Sequence, residues 1–186
     1  SASLRSSVVS HAKTLGYETT SARAAYATLN VNLSTADNSK TMPAGTAFTT
    51  SVDGTNYRFV TIADITSSNT GNEVPFDSIK VYEGSYITTR YTVNTSNVDQ
   101  KFTLSNANSD TSTLIVKVQT SASDTSTTTY TKATDITQLS SNSTVYYLQE
   151  TDSGLYQVYF GDGVISKSIS DGNIVVLQYV VTNKTL

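Results

Sequence analysis

The first segment of the chain has the spacing of an amphipathic helix. Apolar residues recur three and four positions apart from Leu4 to Leu15, and this lines one face of a helix with about 3.6 residues per turn. Gly16 is placed to end the helix in the left-handed conformation. The pattern predicts a helix over Ser3–Leu15, within an N-terminal segment of residues 1–18. Because the sequence starts almost at this helix, we expect it to be part of a longer protein.

Beyond the helix the apolar period changes to two, which is typical of a strand with one buried face. The alternation runs through residues 25–33 and returns on both sides of the hairpin dipeptide Asp53-Gly54. Residues 40–45 are expected to form a turn, and Ser67–Asn72 a polar loop. These strands predict a first β-rich subdomain over residues 19–93.

The last part of the chain has the clearest strand pattern. Residues 145–149 and 156–160 alternate around a Thr-Asp-Ser-Gly turn, which predicts a hairpin. Ile174–Val181 is a nearly continuous apolar run, typical of a strand covered on both faces. Ser121–Thr129 is too polar to fold alone and predicts a loop or an edge. We expect a second β-rich subdomain over residues 94–186.

These patterns together define the expected fold class. The chain is predicted to be mainly β with an N-terminal helix, an α+β protein with antiparallel and mixed sheets. The polar stretch Asn94–Gln100 is the predicted boundary between the two β-rich subdomains.

Composition excludes most kinds of catalytic and metal site. The 186 residues include no cysteine and one histidine, which removes thiolate nucleophiles, cysteine-based metal sites and multi-histidine sites. Ser and Thr account for 59 residues, only 15% of residues are charged, and the net charge is −3 with no basic run. Binding to nucleic acid or to an anionic membrane is therefore disfavoured. No apolar stretch approaches the roughly 20 residues of a membrane-spanning helix.

One glycine-rich string follows the predicted hairpin and is similar to the start of a dinucleotide-binding fingerprint. Its third glycine is replaced by Ser166, and the next element is predicted to be a strand, so no helix N-terminus would hold a pyrophosphate. We interpret Phe160-Gly161-Asp162-Gly163 as a structural turn in which Gly163 holds a positive φ. Phe160 continues the inward alternation of its strand, so its ring is expected to be buried.

Three carboxylates lie around the same hairpin, and glycoside hydrolysis requires a pair of them about 5–10 Å apart. They are Glu150, Asp152 and Asp162. The two aspartates, however, stand where tight turns favour Asp. Asp171-Gly172-Asn173 resembles the start of a calcium loop, but position twelve is Thr182 instead of Glu. The sequence therefore assigns no catalytic, cofactor-binding or metal-binding residue.

Tyrosine is abundant, with 12 residues, while tryptophan is absent. The β-propensity of tyrosine accounts for its place in strands, but tyrosine-rich β surfaces also stack on sugars and form protein interfaces. Four tyrosines fall in the predicted hairpin, and we regard them as a candidate interface: Tyr146, Tyr147, Tyr156 and Tyr159.

Several strings of the sequence resemble one family of phage structural proteins. They are residues 4–17 followed by Ser21-Ala22-Arg23-Ala24, then Pro43-Ala44-Gly45-Thr46, Tyr82-Glu83-Gly84, and Tyr156–Val164 followed by Asp171-Gly172-Asn173. The first three are similar to the entry helix, the turn and a strand end of baseplate J-like proteins. The order of the last strings is similar to that of the baseplate wedge proteins of T-even-type contractile-tailed phages.

The resemblance implies a structural role. Such a wedge component joins neighbouring subunits into the ring around the tail hub and rearranges on contraction, without a catalytic residue or a cofactor. Its implied partners are further copies of the chain, in a homo-oligomer, and other baseplate wedge proteins. Nucleic acid, membrane insertion and a small-molecule substrate are not implied. The implied location is the virion tail baseplate, after assembly in the host cytoplasm. The alternative is a carbohydrate- or receptor-binding β module of a tail fibre or adhesin, which the richness in Ser, Thr and Tyr fits equally well.

Overall fold

The computed structural model describes residues 20–183, and this part of the chain is built almost entirely from β-strands. The strands are β1 (Tyr26–Ser34), β2 (Ser39–Met42), β3 (Ala47–Val52), β4 (Thr55–Val60), β5 (Ile65–Ser68), β6 (Glu73–Glu83), β7 (Ser85–Thr92), β8 (Phe102–Leu104), β9 (Ser109–Gln119), β10 (Thr127–Lys132), β11 (Val145–Glu150), β12 (Tyr156–Phe160) and β13 (Ile174–Val181). A 3-10 helix, Ile136–Gln138, follows β10. The prediction of a mainly β fold is confirmed. Residues 20–183 contain no α-helix, and the helix predicted over Ser3–Leu15 lies outside the described residues.

A four-stranded antiparallel sheet in the order β1-β6-β4-β3 forms the first half of the described chain. Its longest strand, β6, buries Val74 and Phe76, and then Ile79 and Val81, on the same side. The alternation skips a position at Ser78, which has a φ of 54° and donates its N–H to the side chain of Asn30 at 2.7 Å. This bulge keeps all four apolar side chains in one core.

Strands β2 and β5 form a separate two-stranded sheet, and two loop predictions are wrong in part. Ser67 and Ser68 belong to β5, and the turn expected over residues 40–45 starts only after β2 has ended at Met42. These strands are not recognisable from apolar alternation because they are polar, and hydroxyl groups make contacts between the two strands. The hydroxyl oxygens of Thr41 and Thr66 are 2.7 Å apart.

The second half of the chain forms a seven-stranded sheet in the order β7-β13-β9-β10-β11-β12-β8. Strand β13 lies between β7 and β9, with antiparallel neighbours on both sides and six of its eight residues buried. The prediction of a covered strand over Ile174–Val181 is confirmed. Sheet membership changes at Gly84, between β6 and β7, which is 10 residues before the start of the subdomain expected over 94–186.

Strand β10 corrects the prediction of a loop or an edge over Ser121–Thr129. It begins at Thr127 and lies inside the sheet, antiparallel to β9 through its first residues and parallel to β11 through Thr131 and Lys132. Tyr130 is 4% exposed and supplies the apolar burial that the surrounding hydroxyl residues lack. The strand thus carries the sheet around a corner, and the expected mixed pairing is confirmed.

The two edge strands of the seven-stranded sheet meet in space. The hydroxyl of Tyr91, in β7, donates to the carbonyl oxygen of Thr103, in β8, at 2.7 Å. The rings of Tyr91 and Phe102 lie edge to face with centroids 5.7 Å apart. The sheet therefore curls around one core, to which β13, β9, β12 and β11 contribute most of the buried side chains.

Candidate interaction site

The hairpin of β11 and β12 forms as predicted, and its register sets the direction of each candidate side chain. Tyr146 lies opposite Phe160, and Tyr147 lies opposite Tyr159. Because alternate residues of a strand point to opposite faces, the Tyr146–Phe160 pair faces the core and the Tyr147–Tyr159 pair faces outward.

The four candidate tyrosines therefore divide between two faces. Tyr146 and Tyr156 belong to the core and are 6% and 5% exposed. Tyr159 is 36% exposed on the outer face, and the Tyr147 hydroxyl oxygen lies 3.2 Å from the hydroxyl oxygen of Ser166. The outer face of the hairpin therefore carries Tyr147 and Tyr159, and Tyr146 and Tyr156 are not available at the surface.

Phe160 occupies the centre of a chain of aromatic rings inside the curled sheet. Its centroid lies 5.7 Å from that of Phe102 and 5.4 Å from that of Tyr130, in both cases nearly perpendicular. Edge-to-face pairs of this kind are the preferred aromatic geometry. Burial raises the pKa of the Tyr91 and Tyr130 hydroxyls above its usual range. The partly buried Phe160 ring thus connects the corner strand β10 to the edge strand β8.

Gly161 allows a close approach that a side chain would prevent. A Cβ atom at this position would lie 2.5 Å from the carbonyl oxygen of Ser166 and 2.7 Å from its carbonyl carbon. Ser166 is completely buried, and its carbonyl oxygen accepts the N–H of Gly163 at 2.9 Å. The chain folds back on itself immediately after β12 because Gly161 has no side chain.

Gly163 and Asp162 fix the backbone conformation of the residues that follow Gly161. Gly163 has a φ of 88°, so the predicted positive φ is confirmed. The Asp162 carboxylate accepts the N–H of Val164 at 2.9 Å and that of Ile165 at 3.3 Å. These hydrogen bonds, the one from Val164 first, hold the pKa of Asp162 below its usual range. We call residues 161–167 the tip loop.

Two apolar side chains project from the tip loop. Val164 is 74% exposed and Ile165 is 55% exposed. The loop is anchored beyond them, since Ser166 is buried and the N–H of Lys167 donates to the carbonyl oxygen of Ser143 at 3.0 Å. An exposed apolar pair therefore stands on a fixed backbone.

The three carboxylates around the hairpin occupy different environments. Glu150 is 3% exposed and accepts the Tyr156 hydroxyl at 3.2 Å on the core side. Asp152 is exposed in the hairpin turn, and Asp162 binds backbone N–H groups of the tip loop. Among residues 20–183, no three His, Asp or Glu side chains come together in a group that would hold a metal ion. The same residues contain no helix long and apolar enough to cross a membrane.

A second site, which the sequence reasoning did not find, is the junction between the two large sheets. Gly84 alone joins β6 to β7 with a φ of 132°, and a Cβ there would lie 2.9 Å from the carbonyl carbon of Val181. The side chain of Glu83 is 3% exposed and accepts the Thr182 hydroxyl at 2.6 Å and the Asn183 N–H at 3.3 Å. The end of the last strand is thus fixed against the end of β6.

The Pro43–Thr46 turn belongs to the same junction. Thr61 donates its hydroxyl to the carbonyl oxygen of Pro43 at 3.0 Å and accepts the N–H of Thr46 at 3.1 Å. A Cβ on Gly45, whose φ is 81°, would lie 3.0 Å from the ring of Tyr86 in β7. Glycine therefore lets this turn of the first half pack on the second sheet.

Asp110, at the start of β9, makes a third link across the junction. It is 1% exposed, and its carboxylate accepts the N–H of Ala24 at 2.8 Å and the N–H of Ser112 at 2.9 Å. The hydroxyl oxygen of Ser21 accepts the N–H of Thr111 at 3.0 Å. The segment that leads into β1 is thereby held against β9.

One signal in the sequence points to this junction. Glu83 stands two positions after the buried Val81, so it occupies an inward register position of its strand. An acidic side chain at such a position must find hydrogen-bond donors, because burial without them costs several kcal/mol, on the order of 2–7 for a polar group. The identity of the donors depends on a residue far along the chain and is not readable from the local pattern.

Residues 88–184 match the family model described as bacteriophage baseplate wedge protein gp6, third domain. The chain belongs to the gp6 baseplate wedge family. A search of curated proteins finds no match to the chain.

The gp6 match begins in β7 and runs past the end of β13, so it covers the strands of the curled seven-stranded sheet. The resemblance drawn from the sequence strings is confirmed. As a member of the gp6 wedge family, the protein is a structural component of the virion, located in the tail baseplate, and it interacts with other baseplate proteins. Three of the resemblance strings, Ser21–Ala24, Pro43–Thr46 and Tyr82–Gly84, meet at the junction between the sheets.

Proposed function

We propose that this gp6-family protein joins neighbouring wedge subunits into the ring around the tail hub and changes its position when the tail contracts. The observation that supports the proposal is the junction. Hydrogen bonds accepted by the buried side chains of Glu83 and Asp110, together with the backbone contact at Gly84, connect the two sheets. Hydrogen bonds to charged groups contribute about 1.5–3 kcal/mol each. A subunit held in this way transmits a displacement from one neighbour to the next without deforming.

The proposal includes a homo-oligomer in the intact baseplate, contacts with other wedge proteins, and assembly in the host cytoplasm. It assigns the protein no catalytic activity, nucleic acid, membrane insertion or small-molecule substrate. The separation of Glu150 on the core side from the exposed Asp152 argues against glycoside hydrolysis, because that reaction needs a pair of carboxyls facing one cleft.

Cryo-electron microscopy of intact phage tests this function. A small peptide tag inserted beside Val98, which is 89% exposed, marks the protein in the virion. We expect the tag in the ring around the hub, with the protein contacting a subunit on each side and moving between the extended and the contracted tail. A tag in the tail fibres would favour the receptor-binding alternative. A tag whose position in the ring is the same in both states would remove the rearrangement from the proposal.

A further inference from the structure

The apolar pair of the tip loop has no role in the fold. Val164 and Ile165 belong to neither core cluster of the described residues, and both are mostly exposed. The loop does not need apolar side chains here, because the Asp162 carboxylate accepts only their backbone N–H groups. Two adjacent β-branched residues in a surface turn expose apolar surface at a cost in solvation. Such exposure typically marks an interaction site.

The tip loop is organised before any partner binds. Gly161 lies tight against the buried Ser166, and the Gly163 N–H closes the turn onto the Ser166 carbonyl. The Ser166 hydroxyl is also 3.2 Å from that of Tyr147, on the outer face of the hairpin. A loop fixed in its bound conformation loses little conformational entropy on association, which favours affinity.

A groove lies beside the tip loop. Its wall includes Tyr159 and Gly161, and Ile169 and Phe102 contribute apolar surface to it. Gly161 is therefore shared between the groove and the loop, so one partner surface can cover the projecting pair and the exposed Tyr159 together.

The charges around this surface indicate the chemistry of the partner. Lys101 lines the groove and Lys167 ends the tip loop, and both are exposed. Within residues 20–183 neither lysine forms an ion pair, and the Asp162 carboxylate is bound to backbone N–H groups. Both ammonium groups are thus available to a partner, although the net charge of the chain is −3. Unpaired charges at the rim of an interface select an oppositely charged partner and raise its association rate.

We infer that the tip loop and the adjoining groove are a docking site for another baseplate protein, one that presents an apolar pocket rimmed by Asp or Glu. Val164 and Ile165 enter the pocket, and Lys101 and Lys167 face the acidic rim. The inference rests on the proposed function in one respect only, namely that the partner is another component of the baseplate.

Affinity measurements with purified components test the site. The full-length protein is titrated by calorimetry against each of the other wedge proteins of the same phage. Val164→Thr combined with Ile165→Thr keeps the β-branched shape and should weaken one of these complexes at least about ten-fold. Val52→Thr is the matched control, since Val52 is 53% exposed in β3 and its change should leave affinity within about two-fold. Equal effects of the two changes would overturn the inference.

The charge of the rim is tested separately. Lys101→Glu combined with Lys167→Glu should weaken the same complex, with a loss that shrinks as salt is added. Arg58→Glu, on the exposed face of β4, is the control and should bind like the parent protein. A charge-reversed protein that binds as tightly as the parent would show that the rim plays no part.

Photo-crosslinking identifies the occupant in assembled baseplates. A photoreactive residue in place of Ile165 should crosslink to one other baseplate protein, at apolar residues next to Asp or Glu. A crosslink to a second copy of this chain, or the absence of any crosslink from fully incorporated protein, would overturn the inference and leave the wedge role intact. Failure of the parent protein to enter baseplates would instead refute the proposed function.

Discussion

The hydroxyl of Thr182 donates to the side chain of Glu83 at 2.6 Å, although the two residues are 99 positions apart in the sequence. Both are almost completely buried, at 2% and 3% exposure. This contact connects the end of the last described strand to the end of β6. It places a polar pair where the two large sheets meet, so the stability of the junction depends on a hydrogen bond between distant residues as well as on apolar packing.

Replacing Glu83 should therefore destabilise the whole described fold. We expect Glu83→Ala to lower the free energy of unfolding by about 2–4 kcal/mol, because one buried and one partly buried hydrogen bond are lost and a cavity is left. Glu73→Ala, at the exposed start of the same strand, should change it by about 0.5 kcal/mol or less. Urea unfolding followed by circular dichroism compares the two. Similar losses for both variants would mean that the junction is not a stabilising element.

The close approach at Gly84 gives a second test. Gly84→Ala should cost about 3 kcal/mol or more, because the new Cβ meets the Val181 backbone and the φ of 132° is unfavourable for alanine. Gly54 also has a positive φ, 77°, but nothing lies within 4 Å of a Cβ there, so Gly54→Ala measures the conformational cost alone. That cost should be about 1–2 kcal/mol. Thermal unfolding of both variants separates the contact from the dihedral, and equal melting temperatures would contradict the close approach.

The two glycines of the turn after β12 should respond in a different order from the one that dihedrals alone suggest. Gly163 has the positive φ, yet a Cβ there would only come within 3.4 Å of a Ser168 side chain. Gly161→Ala would instead displace the backbone of the buried Ser166. We expect Gly161→Ala to lower the melting temperature more than Gly163→Ala, and the reverse order would show that the dihedral matters more than the contact.

Truncation of Phe160 should remove the centre of the aromatic chain. The ring is only partly buried and not fully buried as the strand pattern predicts, so Phe160→Ala is expected to cost about 2–3 kcal/mol, below the range for a fully buried Phe. Tyr159→Ala, one position away on the outer face, should cost less than about 1 kcal/mol. Chemical denaturation of the two variants measures the difference between the faces of β12. Comparable losses would indicate that the ring of Phe160 packs loosely.

The lowered pKa of Asp162 makes the stability of the tip loop depend on pH. Its carboxyl pKa is lower in the folded protein than in the unfolded chain, because the ionised form accepts the N–H groups of Val164 and Ile165. The resulting stabilisation is complete above the unfolded pKa of about 3.9 and is lost as the pH falls through the lower folded value. Amide chemical shifts of Val164 and Ile165 should titrate together below about pH 4 in NMR spectra. Asp162→Asn keeps an acceptor oxygen and should abolish this titration, and its persistence in that variant would assign it to another group.

Much of the fold is encoded locally. The hairpin of β11 and β12 is readable because apolar alternation and turn residues agree over a short distance, and β13 is readable because strands with two neighbours are apolar throughout. Strand β10 cannot be recognised from the local sequence, because its Ser/Thr-rich sequence resembles a loop and only Tyr130 marks its buried face. Its place inside the sheet is decided by the strands that pair with it on both sides.

The candidate sites, like the strands, are only partly readable from the local sequence. The turn at Gly161–Gly163 could be located from glycine positions, but the tight contact at Gly161 depends on Ser166 being buried, which no local pattern indicates. Two of the four candidate tyrosines are core residues, because strand alternation sends Tyr146 and Tyr156 inward. The junction was missed because the hydrogen bonds that connect the two sheets, Asp110 with Ala24 and Glu83 with Thr182, join residues from opposite halves of the chain.

The distance between Glu83 and Thr182 along the chain also sets an order of events during synthesis. At about 5–20 residues per second, the ribosome completes Thr182 roughly 5–20 s after Glu83. Through that interval the first sheet has its strands but lacks the donor that closes the junction. Only a chain translated through Thr182 gains the contact, so until that point the end of β6 lacks the segment that packs on it and the Glu83 carboxyl lacks its hydroxyl donor.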